Sequence, residues 1–261
     1  MENKKISFSS NTLKIIAVVT MTIDHIGVFI PNMPFFLRMI GRLAAPIFFF
    51  TLAFSFQNTS SRKKFLLRLY ITSVIMELIK IIAFLIDNKT KNIVQNNVFS
   101  TMFLAVLIAM CFENIVISFK SANYAVSFSY IAIFLIVVFW SFISFKMSDM
   151  ALWIVKAIAP TIPQAEGGLE WVLLGVGMCL FATKKKSVVI FYTLYCVLEL
   201  VGTIYSTGIK SLMYNIQWMM IFAIPLFLLY NGKKGKGNKW FFYLYYPLHI
   251  WVLYLVGTLL R

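Results

Sequence analysis

The chain alternates long apolar runs with short, mostly basic, polar connections. The runs fall at roughly 13–30, 38–58, 65–86, 97–119, 122–145, 169–183, 187–207, 212–230 and 240–260. Ser121–Phe145 carries no charge over 25 residues, more than the ~20 that a helix needs to cross hydrocarbon. Leu43–Ser61 is uncharged as well. None of the runs alternates with the period of two that barrel strands show. Helices are therefore expected, because in lipid only helices and closed barrels satisfy their own backbone groups. The pattern predicts an all-α polytopic membrane protein, one domain over 1–261, with about nine transmembrane helices in one bundle.

A tenth span is the open point. Asp149–Gln164 is apolar but short, with Lys156 in its middle and both Pro160 and Pro163. Basic residues arbitrate, since cytoplasmic loops are enriched in Lys and Arg. Nine spans with a cytoplasmic N-terminus place 15 of the 24 basic residues inside. A crossing at 149–164 would send "TKKKS" and "NGKKGKGNK" outside and leave ten inside. Nine spans are favoured, with 149–164 not crossing.

Composition agrees. Hydrophobic residues make up 61%, charged residues 13%, and mean hydropathy is +0.85. A soluble domain is about half apolar and a quarter charged. The N-terminal "MENKKISFSSNTLK" is polar and basic. The run after it is too long for a signal h-region, and no small-residue cleavage site follows, so a retained first helix is expected. The net charge of +15 is what the positive-inside rule produces. With no nucleic-acid-binding motif, nucleic acid is not expected as a partner; membrane lipids are. Cys111, Cys179 and Cys196 have apolar neighbours and no CxxC or His-rich company, so neither disulfides nor a metal site are expected.

Ionisable groups at membrane depth are costly, and by default they mark function. "TMTIDHIGVFI", Thr20–Ile30, holds Asp24 and His25 inside the first run. Adjacent helical residues point about 100° apart. One can face a cavity while the other braces a neighbouring helix; a purely structural clamp is the rival account. In "LRMIGRLAAPIFFF", Arg38 and Arg42 lie one turn apart on one face, and Gly41 with Ala44–Ala45 permits close packing. Two guanidiniums suit a carboxylate or phosphate, but they can also snorkel to headgroups or pair with Asp24. Glu77 has Lys80 one turn on, so local pairing competes with a role in a shared polar cavity. Glu199 has no local partner in sequence, and Glu113 is near a span end. The loop "NGKKGKGNK" serves as a flexible basic linker or as a contact for nucleotide phosphates. Beyond it, Trp240, Tyr243, Tyr245 and Tyr246 resemble an interfacial belt. His249, two residues after Pro247, then sits near the midplane.

Taken together, "LKIIAVVTMTIDHIG", "LRMIGRLAAPIFFF", "KKFLLRLYITSVIMELI", "NNVFSTMFLAVL" and "LYNGKKGKGNKWFFYLYYPLHIWVLY" resemble the TraX family, in family order and at both ends of the chain. The region 120–210 adds little, and "MELIK" departs from the family's Ser-Glu-Ile-Pro run while keeping Glu77. The family takes its name from a conjugation protein that acetylates the pilin N-terminus. It is also similar to membrane acyltransferases with an essential histidine late in the first helix. The resemblance implies acetyl-CoA as donor and carries the family's histidine and arginine positions onto His25, Arg38, Arg42 and His249. On this footing His25 is expected as catalytic base with Asp24 behind it, and Arg38, Arg42, Glu77 and His249 as donor- or substrate-binding residues. The expected activity is O- or N-acetyl transfer to a surface peptide, glycan or lipid acceptor at the cell membrane. The alternatives are a transporter or flippase for an anionic lipid or small acid, and a non-enzymatic scaffold. A transporter commonly shows paired repeats, and none is evident here.

Overall fold

A computed structural model describes residues 6–86, 97–145 and 151–260. The protein is an all-α membrane bundle. The helices are α1 (Ser10–Phe29), α2 (Phe36–Gly41), α3 (Ala44–Gln57), α4 (Arg62–Ile86), α5 (Val98–Lys120), α6 (Tyr124–Phe145), α7 (Ala151–Ile158), α8 (Gly168–Phe181), α9 (Lys185–Thr207), α10 (Ile224–Leu228) and α11 (Lys239–Leu259). Among the described residues there is no strand. One isolated bridge joins Phe8 to Tyr230.

Six stretches are long and apolar enough to cross a membrane: Ser10–Phe29, Phe36–Gln57, Val98–Lys120, Tyr124–Ser144, Lys185–Thr207 and Trp240–Leu259. At 25 residues α4 is as long as any of them, but Arg62, Lys63, Lys64, Arg68, Glu77 and Lys80 make it more polar. Gly168–Phe181 and Gln217–Leu228 are shorter apolar stretches. Each of the nine runs corresponds to helical structure, and two are interrupted. The second run breaks between α2 and α3. Pro46 has no N–H for the carbonyl of Arg42, and its ring crowds that carbonyl. The backbone there tightens to three-residue bonds, Arg42 to Met39 and Leu43 to Ile40, each 3.2 Å. The eighth run is a 3₁₀ stretch, Gln217–Ala223, leading into α10, which Pro225 starts.

In the doubtful stretch 149–164, residues 149 and 150 lie outside the described residues. The eight residues of α7 span only ~12 Å, too little for the ~30 Å of hydrocarbon. Its C-terminal carbonyls are capped by other helices. The Tyr70 hydroxyl donates to Ile158 O (2.7 Å) and the Trp140 indole to Ala159 O (2.9 Å).

The chain divides into two compact units, one of residues 1–52 with 183–261, the other of 53–182. In the second unit α5 packs on α4, α6 and α8. Buried Asn97 caps α5 and donates to Ser73 O (3.1 Å) and Glu77 Oε1 (2.7 Å). Glu77 also pairs with Lys80 (3.1 Å). Arg62 pairs with Glu113, which Gln57 also bonds, and Gln57 reaches Cys179 O (2.9 Å). Phe128, Ile136 and Phe139 on α6 are exposed, as on a helix facing hydrocarbon.

In the first unit α1 packs against α2 and α11. The Ser9 hydroxyl accepts from Thr12 N (3.1 Å) and caps α1. Two further first-turn amides, of Ser10 and Asn11, donate to the carbonyls of Lys233 and Lys234 (2.8 and 2.9 Å). The Gly/Lys loop is thereby strapped across the start of α1.

Candidate active site

α1 carries Asp24 and His25 to two different partners, because neighbouring helical positions diverge by about 100°. Asp24 turns to α2 and the residue that follows it. Its Oδ2 pairs with Arg38 Nη1 at 2.8 Å and its Oδ1 with Arg42 Nη2 at 3.2 Å. Gly41 makes this approach possible: a Cβ there would stand 2.1 Å from Asp24 Oδ1. Asp24 is 9% exposed, so one carboxylate between two guanidiniums leaves a largely buried cluster with a net positive charge.

The two arginines differ. Arg42 bonds with its Nη2 to Asp24, with Nη1 to Gln217 Oε1 (3.0 Å) and with Nε to Arg38 O (3.3 Å). All three of its nitrogens are engaged. Arg38 uses Nη1 alone among the described residues, and its side chain is 31% exposed against 18% for Arg42. Arg38 is the arginine with donors to offer a ligand.

His25 turns to α11. Its Nδ1 lies 2.7 Å from Nε2 of His249, and His249 Nδ1 lies 2.9 Å from Tyr245 O. Both histidines are buried, at 5% and 7% exposure. The rings of His25 and His249 lie edge to edge, 4.9 Å between centroids and 19° from coplanar, and Tyr245 stacks on His249 at 5.1 Å. The Tyr245 hydroxyl also shares a 2.8 Å hydrogen bond with Thr22, one turn before His25. Past the site, Gly257 lets α11 meet α1, since a Cβ there would stand 2.1 Å from Phe29 O.

Five of the six residues singled out in the sequence, Asp24, His25, Arg38, Arg42 and His249, thus assemble in the first unit. Glu77 belongs to the second unit, where Lys80 and Asn97 engage it. Gln217, Tyr245 and Thr22 were not singled out for chemistry. Gln217 is the one carboxamide in the apolar stretch 216–230, a signal that could have marked it. Tyr245 is hidden among aromatics that any membrane interface would carry. Among the described residues no group of three or more His, Cys, Asp or Glu could hold a metal ion.

A buried histidine pair beside a carboxylate clamped by two arginines, on helices able to cross a membrane, defines a helical membrane protein with a polar site inside one bundle. The chain belongs to the TraX family: the TraX protein profile matches residues 9–201 and 145–257. It is similar to the probable fimbrial assembly protein FimC, serogroup H1, of Dichelobacter nodosus, 27% identical over 265 residues and 96% of each chain. It is also similar to the uncharacterized protein RP591 of Rickettsia prowazekii (strain Madrid E), 29% identical over 149 residues, 56% of this chain and 54% of that one. No solved structure matches.

Proposed function

We propose that this protein is a membrane acetyltransferase of surface-fibre assembly, moving an acetyl group from acetyl-CoA to a hydroxyl or amine. The observation that carries the proposal is the hydrogen-bonded His25–His249 pair, buried beside the Asp24–Arg38–Arg42 cluster. Proton transfer needs an imidazole held in place, and an anionic reactant needs a fixed cation; unit one offers both.

Acetyl-CoA would supply the acetyl group as an activated thioester. Residues of the first unit fit its anionic end. Lys233, Lys234 and Lys236 are exposed in a loop with glycines at positive φ, Gly232 and Gly235. That loop crosses the start of α1, and His25 lies fifteen residues along the helix, ~22 Å away. An extended pantetheine arm matches that separation. His25 would take the proton of the acceptor as its oxygen or nitrogen attacks the thioester carbon, and return it to the departing thiol. Arg38 would hold an anionic part of donor or acceptor. A pilin-like peptide is the favoured acceptor, in keeping with the fimbrial relative, and a cytoplasmic N-terminus places the basic loop on the donor's side.

The test is purified protein in nanodiscs with acetyl-CoA and a pilin N-terminal peptide, read by mass spectrometry of the peptide and by thiol release. Acetylated peptide with stoichiometric free thiol supports the proposal. Binding of anionic lipid with no thiol release would instead favour transport.

A further inference from the structure

We propose that His249 is a positioning residue that fixes which nitrogen of His25 takes the proton, assigning that task to Nε2. The inference rests on the proposed role of His25 as base and specifies its atom and its partner.

The chain of roles starts at a group with no choice. The carbonyl of Tyr245 only accepts, and it stands 2.9 Å from His249 Nδ1, so that nitrogen carries the hydrogen. In a neutral imidazole the other nitrogen then holds the lone pair. That nitrogen, His249 Nε2, is 2.7 Å from His25 Nδ1, which must therefore donate. The lone pair of His25 is left on Nε2. Among the described residues His25 Nε2 makes no hydrogen bond, and it is not one of the fully enclosed polar atoms. The base nitrogen is the one the protein leaves unengaged.

The rings are held for this. The Tyr245 ring stacks on His249 (5.1 Å, 10° between planes), the His25 ring lies edge to edge with it and nearly coplanar (4.9 Å, 19°), and the Tyr246 ring stands at 5.6 Å and 68°. The Phe29 ring stands edge-on to His25 at 5.8 Å. Tyr245 acts twice: its carbonyl sets the tautomers, and its hydroxyl ties α11 to Thr22 of α1. When Nε2 accepts a proton, the positive charge is shared across the 2.7 Å bond towards that carbonyl. This is the orienting service that a carboxylate gives histidine in a hydrolase triad, supplied here by a neutral imidazole. Asp24, the nearby carboxylate, is occupied by two arginines.

The experiment is nitrogen NMR of full-length protein labelled with ¹⁵N-histidine in nanodiscs. With two histidines in the chain, four ring nitrogens are observed and single variants assign them. At neutral pH both residues should carry hydrogen on Nδ1 and none on Nε2, the reverse of the usual preference of free imidazole. His249→Phe keeps a stacked ring but no acceptor. It should move His25 to the Nε2–H form and lower kcat by up to ~10²–10⁴-fold with little change in KM. His249→Gln presents an oxygen near the Nε2 position and should restore both the tautomer and most of the turnover. A wild-type His25 protonated on Nε2 overturns the proposal, even if His25→Gln is inactive and the base assignment stands. Equal loss in His249→Phe and His249→Gln also overturns it, since packing alone would then explain His249. Full turnover in His25→Gln removes the base assignment itself, and this inference with it.

Discussion

Asp24 and His25 are neighbours in sequence with separate tasks, and mutation should divide them. His25→Gln removes a proton acceptor from an already paired ring, so acetyl transfer should fall by ~10²–10⁴-fold with the thermal unfolding profile nearly unchanged. Asp24→Ala leaves Arg38 and Arg42 facing each other without a counter-charge. Breaking a buried ion pair from one side costs about 3–5 kcal/mol, so this variant should melt well below wild type in detergent. The arginines should also separate. Arg42→Lys cannot reproduce three bonds in three directions and should lower stability, while Arg38→Lys keeps one contact to Asp24 and should instead weaken anion binding. Differential scanning with acetyl-CoA titrations reads both, and equal behaviour at the two positions would count against the division. The costly residue types were legible in the sequence because charge at membrane depth stands out. Some pairings were legible as alternatives, Asp24 with the arginines and Glu77 with Lys80, and both form; the others were not. Nothing in the sequence around position 25 announces a partner at 249, or a glutamine at 217.

At the level of helices, close approach is set by two glycines. Gly41→Ala would drive a methyl into the Asp24 carboxylate, and Gly257→Ala into the backbone of Phe29. Overpacking of this kind typically costs about 1–3 kcal/mol. Gly257→Ala should lower turnover as well, because α11 carries His249 and meets α1 at both places. Normal activity in Gly257→Ala would show that the histidine contact tolerates displacement. The long helices could be read from apolar length alone, since hydrocarbon admits little else. The interruptions could not, because apolarity does not report hydrogen-bond register. The break at Arg42 depends on Pro46 lying four residues on, and the 3₁₀ stretch before α10 reads in sequence like any apolar helix.

Across the whole molecule, sidedness is the open expectation. Lys185 Nζ donates to the carbonyls of Leu228 and Tyr230, 2.9 Å each, so the start of α9 and the basic loop lie together in the first unit. Cysteines placed at 185 and 234 should therefore label from one side, and that side should be cytoplasmic; because the loop is bonded to the start of α1, labelling of both from outside in intact cells would place the N-terminus outside as well and overturn the expected orientation. The sequence order hides a further property of this unit. Its two halves are separated by the entire second unit, and its histidines lie 224 residues apart. A ribosome adding about 5–20 residues per second needs on the order of 10–50 s to cover that interval. Throughout it, the nascent first helix holds one imidazole with nothing to set its proton. Under the proposed mechanism, a chain released before the last helix would lack the residue that sets its base, so an abandoned copy left in the membrane would consume little of the cell's donor.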